Sequence, residues 1–352
     1  MKKINILMCC SELSVKGGMV SVVRNYLDYT GWDDYNIIFI PTHIERNKLI
    51  ILAYFFVAYI KILFTLIFKD ISIAHLHTAE RGSFFRKAIL VRTFKLFGVK
   101  TVMHHHAAEF EEFYKKLSVR NKNYVNRTLE MVDVNIVLSK RLISMITSKA
   151  PKARVEVLYN AVPVPKYNVY DLNAKHIMFL GRLGKRKGTY DLLQAIKNID
   201  DKMPKEYKFD LCGDGEVDEV KEKIKELQLE ERISFVGWIN AERKNEFFKK
   251  ACINVLPSYN EGLPMSILES MAFGIPNIST NIASIPEVIQ NGMNGFLVRP
   301  GDISALSECL LKLINNSTLR SQFSANSYEL IKKQFGLDTN IARLKEIYHE
   351  IR

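Results

Sequence analysis

Two carboxylates, Glu261 and Glu269, stand eight residues apart around the start of a predicted helix in residues 256–280 (LPSYNEGLPMSILESMAFGIPNIST). Gly262 admits unusual backbone angles, Pro264 suits a first helical position, residues 265–273 are good helix formers, and Gly274-Ile275-Pro276 closes the run. A helix start presents unpaired N–H groups and the positive end of the helix dipole, which favours a diphosphate. One glutamate lies before the helix and the other inside it, so they are displaced by up to about 12 Å along the axis. Two separated parts of one extended ligand fit that spacing better than a single reacting atom does. Alone, the spacing equally describes a loop Glu and a helix-face Glu. Upstream, Arg182 and Lys187 lie in a basic loop, 182–188 (RLGKRKG). A guanidinium fork binds phosphate oxygens bidentately and an ammonium adds a mobile point charge, so this pair suits pyrophosphate. The Lys-Gly order is the reverse of GxxxxGK[ST], which makes an ATPase P-loop a poor reading.

The elements that must position these groups are readable around them. Residues 176–181 (HIMFLG) form a short buried strand, and residues 189–199 form a helix with Thr189 as its expected cap. In the first half, residues 4–10, 36–40, 71–76, 101–105 and 134–138 are strand candidates. Strands alternate with helices in both halves, which predicts an α/β chain with mainly parallel sheets. At 352 residues, 47% hydrophobic and 25% charged, the chain has ordinary globular composition and exceeds one core. Residues 160–173, with two prolines and no helical period, are the expected linker. The expected division is therefore 1–165, 166–337 and a final helix at 338–352.

Several segments in order resemble the GT-B-fold, retaining glycosyltransferases of family 4. They are FLGRLGKRKG (179–188), LCGDGE (211–216), FVGW (235–238), the 256–280 segment, and IPEVIQNGMNGFLVRPGD (285–302). The resemblance implies two Rossmann-like domains facing across a cleft, with the last helix crossing back to the first. It implies that Arg182 and Lys187 bind the donor diphosphate, that Glu261 binds the transferred sugar and that Glu269 binds the ribose. Gly262, Leu263 and Met265 bring backbone near sugar and phosphates. Residues 213–216 and 236–238 are similar to the family's nucleoside-lining loops, with Trp238 able either to pack between helices or to approach a base. The run 100–114 (KTVMHHHAAEFEEFY) resembles a strand-end His followed by a small residue, near the reacting centre. His106 matches through Ala107, His104 is its rival, and His105 is expected on the other face. Gly17 and Gly18 are similar to the family's N-terminal glycine loop; as plain sequence they mark a turn before a helix near Val20. His75-Leu76-His77 and residues 83–86 also look like polysaccharide-building members of this family.

Implied, then, is a metal-independent transferase carrying a sugar from a nucleotide sugar, a UDP-sugar by expectation, to a lipid-linked saccharide in surface-polysaccharide synthesis, with no cofactor. The alternatives are a GT-B-like nucleotide-sugar epimerase and a noncatalytic sugar-nucleotide-binding subunit. His104, His105 and His106 are not expected to share a metal, because consecutive strand residues point to opposite faces. Five cysteines form no CxxC pair and read as buried thiols.

Charge is lopsided. Residues 1–165 hold 24 Lys/Arg against 13 Asp/Glu, +11, and the remainder holds 26 against 25, +1. Basic runs at 81–100 and 115–127 imply an anionic membrane surface as partner; no nucleic-acid-binding signature accompanies them. Residues 49–68 (LIILAYFFVAYIKILFTLIF) are long enough to span a bilayer. A strand following at Ile71 favours instead a largely buried helix whose outer face meets lipid while Lys61 snorkels. Lys2 and Lys3 precede too short an apolar run for a secretory signal, so the expected location is cytoplasmic, peripheral at the inner membrane face.

Overall fold

The structure, a computed structural model, describes residues 3–106 and 109–352. Lys2, and Ala107 on which the match of His106 rests, lie outside the described residues. The chain divides into two compact units, a first of Met1–Asn160 with Asp338–Arg352 and a second of Ala161–Leu337.

The first unit is built on six parallel strands: β1 (Ile4–Cys10), β2 (Tyr35–Pro41), β3 (Ile71–Thr78), β4 (Lys100–His105), β5 (Val134–Val137) and β6 (Val155–Val157). Their order is β2-β1-β3-β4-β5-β6. Near-continuous apolar runs form the central strands because helices cover both faces of such a sheet. Phe84, Ala88, Val91 and Phe94 of the helix Gly82–Leu96 share one core with Leu7, Ala74, Leu76 and Met103 of the sheet. Each fully buried Leu or Phe contributes about 1.5–3 kcal/mol. The helix Leu337–Ile351 is tied to this unit by Tyr26 Oη donating to Asn340 Oδ1 at 2.9 Å, Asn340 Nδ2 to the Tyr159 carbonyl at 2.6 Å, and Lys345 Nζ to the Gly31 carbonyl at 2.6 Å.

The helix Lys48–Phe68 departs from expectation. Only Phe55, Ala58 and Ile62 are buried, one stripe at helical spacing facing the sheet. Leu52, Phe56, Val57, Phe64 and Ile67 are exposed, so the helix is mostly uncovered rather than largely buried. By length and composition it is apolar enough to cross a membrane.

The second unit holds β7 (His176–Leu180), β8 (Lys208–Cys212), β9 (Ile233–Gly237), β10 (Ala251–Leu256), β11 (Asn277–Thr280) and β12 (Gly295–Val298), all parallel. The order β12-β11-β10-β7-β8-β9 is a doubly wound sheet whose winding reverses between β7 and β10. Both units are thus Rossmann-like α/β bodies, as expected. The segment read as a linker is instead fastened to the second unit. Tyr170 Oη donates to the Cys252 carbonyl at 2.9 Å and Asn168 Nδ2 to Ser324 Oγ at 3.0 Å, so the boundary falls between Asn160 and Ala161 rather than after Pro165. A tyrosine that buries its ring with its hydroxyl satisfied outweighs the lack of helical period.

Candidate functional site

Ligands of an open parallel sheet lie beyond the carboxyl ends of its strands, where the winding reverses. In the second unit the loops after β7 and β10 flank that reversal, and their backbones come together. Tyr259 N–H donates to the Arg186 carbonyl at 2.9 Å, and Leu183 N–H donates to the Asp214 carbonyl at 2.6 Å, drawing in the loop after β8. Two glycines make this approach possible. A Cβ on Gly188, at φ 73°, would stand 2.1 Å from the Pro257 carbonyl oxygen, and one on Gly213 would stand 1.8 Å from that of Gly181. Thr189 does not cap its helix: it is buried, and its Oγ1 accepts from Gly184 N–H at 2.9 Å, holding the basic loop.

Onto this frame the side chains are set. Glu261 is buried and Lys187 Nζ pairs with its Oε1, so one basic-loop residue and one acidic-loop residue are joined across the reversal. Ser258 Oγ donates to the same Oε1 at 2.8 Å. The two pair members are 15% and 7% exposed, so solvent screens them little. Glu269 pairs with Lys244 Nζ at 2.6 Å. Lys244, on the helix Ala241–Lys250, carries no motif and was not foreseen. Arg182 is exposed at the start of the basic loop. Leu263 and Met265 are buried, so whatever they offer a ligand is backbone. Pro264, at ψ 125°, is the extended residue before the helix Met265–Ala272 rather than its first residue. Gly274, at φ 72°, ends that helix, its N–H donating to the Met271 carbonyl at 2.9 Å. Trp238 is half exposed, not packed between helices.

The first unit carries the other expected residues. Gly17, at φ 140° with open space around it, immediately precedes the helix Gly18–Asp28. His104 and His106 share one sheet face, while His105 turns to the other and meets Asn135 Oδ1 through Nε2 at 3.0 Å. His75 and His77 of the adjacent β3 lie on the same face as His104 and His106. His75 Nε2 is 3.3 Å from His104 Nδ1, His77 Nδ1 is 3.0 Å from His106 Nε2, and His75 Nδ1 is 2.5 Å from Tyr348 Oη. Burial pushes His75 and His106 down to about 3 and His77 and His104 well below the usual imidazole range, leaving four neutral rings at pH 7.

The run of consecutive histidines 104–106 does not by itself announce this quartet. The signal was the paired His-x-His spacing, 75/77 and 104/106, on two strands that prove to be neighbours. Nitrogens of His75, His77 and His104 lie within 4.8 Å of one another, so metal ligation is a geometry this chain offers despite the contrary expectation. The His75 and His77 rings stack at 4.4 Å with planes 4° apart, which sends their lone pairs alongside each other rather than toward one point, and both His75 nitrogens already have partners. Hydrogen-bonded ring packing describes the quartet better than a metal cage.

Residues 165–330, covering the whole reversal with Arg182, Lys187, Glu261 and Glu269, match the glycosyl transferases of group 1. That match covers most of the second unit and none of the first. An uncharacterized 41.2 kDa protein in the cps region of Klebsiella pneumoniae is 26% identical over 325 residues, 84% of this chain and 87% of its own. The GalNAc-α-(1→4)-GalNAc-α-(1→3)-diNAcBac-PP-undecaprenol α-1,4-N-acetyl-D-galactosaminyltransferase of Campylobacter jejuni is 30% identical over 172 residues, 48% of this chain and 45% of its own. The chain spans less than two thirds of the length of most curated relatives it matches. Anabaena HepE, solved in complex with UDP, shares the GT-B fold at TM-score 0.76 over 99% of this chain and 100% of that one, with 16% identity.

Proposed function

We propose that this chain is a group 1 glycosyltransferase and a retaining enzyme of the family 4 type. It moves a sugar from a nucleotide-diphosphate sugar, a UDP-sugar, to a lipid-linked saccharide acceptor in surface-polysaccharide synthesis, using no metal. The observation that carries this is the Lys187–Glu261 pair joining the loops after β7 and β10 at the reversal, with Arg182 on the first of these loops and Glu269 on the helix that follows the second. The UDP in the HepE structure supports the choice of nucleotide, and the undecaprenol diphosphate in the name of the Campylobacter relative supports a lipid-linked acceptor.

The chemistry follows from where charge develops. Breaking the anomeric C–O bond leaves an oxocarbenium-like sugar and a nucleotide diphosphate. Arg182 and Lys187, with the N–H groups opening the helix Met265–Ala272, stabilise the departing anion in place of a metal. Glu261, buried and aligned by Ser258 and Lys187, orients sugar hydroxyls, and Glu269 holds the ribose. Two carboxyls about 5 Å apart are the arrangement of retaining hydrolases with a carboxylate nucleophile. Glu261 precedes the helix and Glu269 lies one turn and more inside it, so neither serves as nucleophile. Transfer proceeds on the front face, the leaving phosphate oxygen taking the acceptor proton. His106 is cast as a sugar-positioning residue; burial keeps it neutral, so it works through hydrogen bonds rather than as a cation.

The uncovered apolar face of Lys48–Phe68 and the +11 balance of residues 1–165 support peripheral attachment to the anionic inner face of the cytoplasmic membrane. Intact-mass detection of products from a panel of nucleotide sugars and lipid-linked acceptors tests the whole. One added hexose mass, dependent on both substrates and with anomeric configuration kept, is the expected result. Donor conversion without acceptor would indicate an epimerase, and binding without turnover across the panel would indicate a noncatalytic subunit.

A further inference from the structure

The first unit contains a buried cation with no counter-charge among the described residues. Lys87, on the helix Gly82–Leu96, is 1% exposed, and its Nζ donates to Thr42 Oγ1 at 2.5 Å. Thr42 in turn donates to the Cys10 carbonyl at 3.0 Å, which places the ammonium at the carboxyl ends of β1 and β2. The thiols beside it supply no charge: burial pushes Cys9 up to about 12 and Cys10 up to about 11, so both are protonated at pH 7. Arg86 adjoins it, half-buried, with Nε out of solvent and unpartnered. His43, just beyond β2, has an unpartnered buried Nδ1. Burial and the two neighbouring cations push His43 down to about 4, so it offers a neutral imidazole. Among the described residues none of these three groups pairs with a carboxylate. Burial above all, with the Arg86 charge adding to it, pulls Lys87 down to about 8, which still leaves it mostly charged at pH 7.

An unpaired buried ammonium beside an underused guanidinium is costly to keep, and such charges are normally neutralised by a partner. The position is also informative. The order β2-β1-β3 reverses its winding at β1, and Lys87 follows β3, so the cluster stands by the ligand-binding edge of this sheet. Two cations of different shape, a fork and a point charge, with an imidazole beside them, match the oxygens of a phosphoryl group.

We infer that His43, Arg86 and Lys87 bind the diphosphate of the lipid-linked acceptor, an assignment that rests on the glycosyltransferase reading above. The donor's own diphosphate is taken by Arg182 and Lys187 in the second unit, so the chain carries two separate phosphate sites, one for each substrate. The same chemistry is shared by an anionic lipid headgroup, which the experiment must separate.

The test is calorimetric titration of inorganic pyrophosphate into the full chain already saturated with UDP. One further site is expected, weakened at least ten-fold in Arg86→Gln and in Lys87→Met, with UDP affinity unchanged in both. Arg86 is half-buried, so its variant keeps the test decisive if Lys87→Met fails to fold. No pyrophosphate uptake by the UDP-saturated protein, or uptake unaltered in the variants, would overturn the inference. So would loss in Arg86→Gln of binding to phosphatidylglycerol vesicles, but not to pyrophosphate, since the cluster would then serve a headgroup. If wild-type protein binds no UDP, the donor assignment fails instead, and the pyrophosphate affinities of variants and wild type judge the cluster by themselves.

Discussion

At the β7/β10 reversal each acidic side chain has a lysine, Lys187 on Glu261 and Lys244 on Glu269. At the corresponding edge of the first unit, Lys87 and Arg86 have no carboxylate partner among the described residues, and four histidines share one face as neutral rings. The second unit holds its two acidic side chains in internal ion pairs with lysines, so a ligand there must exchange for a partner already in place. The first unit keeps cations uncompensated and imidazoles uncharged, so its electrostatics are completed from outside or suppressed by burial. Two Rossmann-like sheets of equal strand number thus manage polar groups differently, and this difference decides how each unit responds to mutation and pH.

The largest effect is expected in the compensated site. Arg182→Ala removes an exposed guanidinium that has no ion pair or hydrogen bond among the described residues, so transfer should fall by about 10²–10³-fold at an unchanged melting temperature. Wild-type turnover in this variant would remove the diphosphate assignment. Next comes backbone geometry. Gly188→Ala forces a Cβ into the Pro257 carbonyl at a left-handed φ and should cost about 2–3 kcal/mol or more in urea denaturation. Gly17→Ala in the first unit meets only the positive φ, so its cost should be smaller, about 1 kcal/mol. Equal costs would mean that the loops after β7 and β10 are not pressed together.

Acid sharpens the contrast further. Below pH 6.5 the unfolded chain protonates its histidines while His75 and His106 stay neutral in the fold down to about 3, so the unfolded state binds more protons and the first unit loses stability as pH falls. The slope is roughly 1.4 kcal/mol per histidine per pH unit. Hydrogen exchange at pH 7 and pH 5 should show protection lost at β3 and β4 well before β7 and β10; equal loss would break the comparison. Alkali probes the same contrast through Lys87. Its folded value near 8 lies below the free-lysine value of 10.5, so it weakens the fold at neutral pH, and stability should rise between pH 8 and 10.5 in wild type but not in Lys87→Met. That variant should melt no lower than wild type at pH 7, because removing an unpaired buried charge relieves its desolvation.

Much of the second unit was legible because its chemistry is local in sequence. Strand, basic loop and helix at 176–199 follow one another, and Glu261 and Glu269 sit around a single helix start. What stayed hidden depended on which strands become neighbours. Nothing at residue 75 announces residue 104, and Lys244 reaches Glu269 from a helix with no distinguishing pattern. Thr189 had the right type for a cap, yet the inward turn of the basic loop gave its hydroxyl to Gly184. The helix Lys48–Phe68 shows the limit of composition alone, since apolar residues all round describe a buried helix and an uncovered one equally well.

The assignment of the donor to the second unit is tested most directly by calorimetric titration of a UDP-sugar into the wild-type chain, Arg182→Ala and Glu269→Gln. One saturable site is expected, weakened at least ten-fold in each variant while both stay folded. Affinity unchanged in both would contradict the placement of diphosphate and ribose at the β7/β10 reversal.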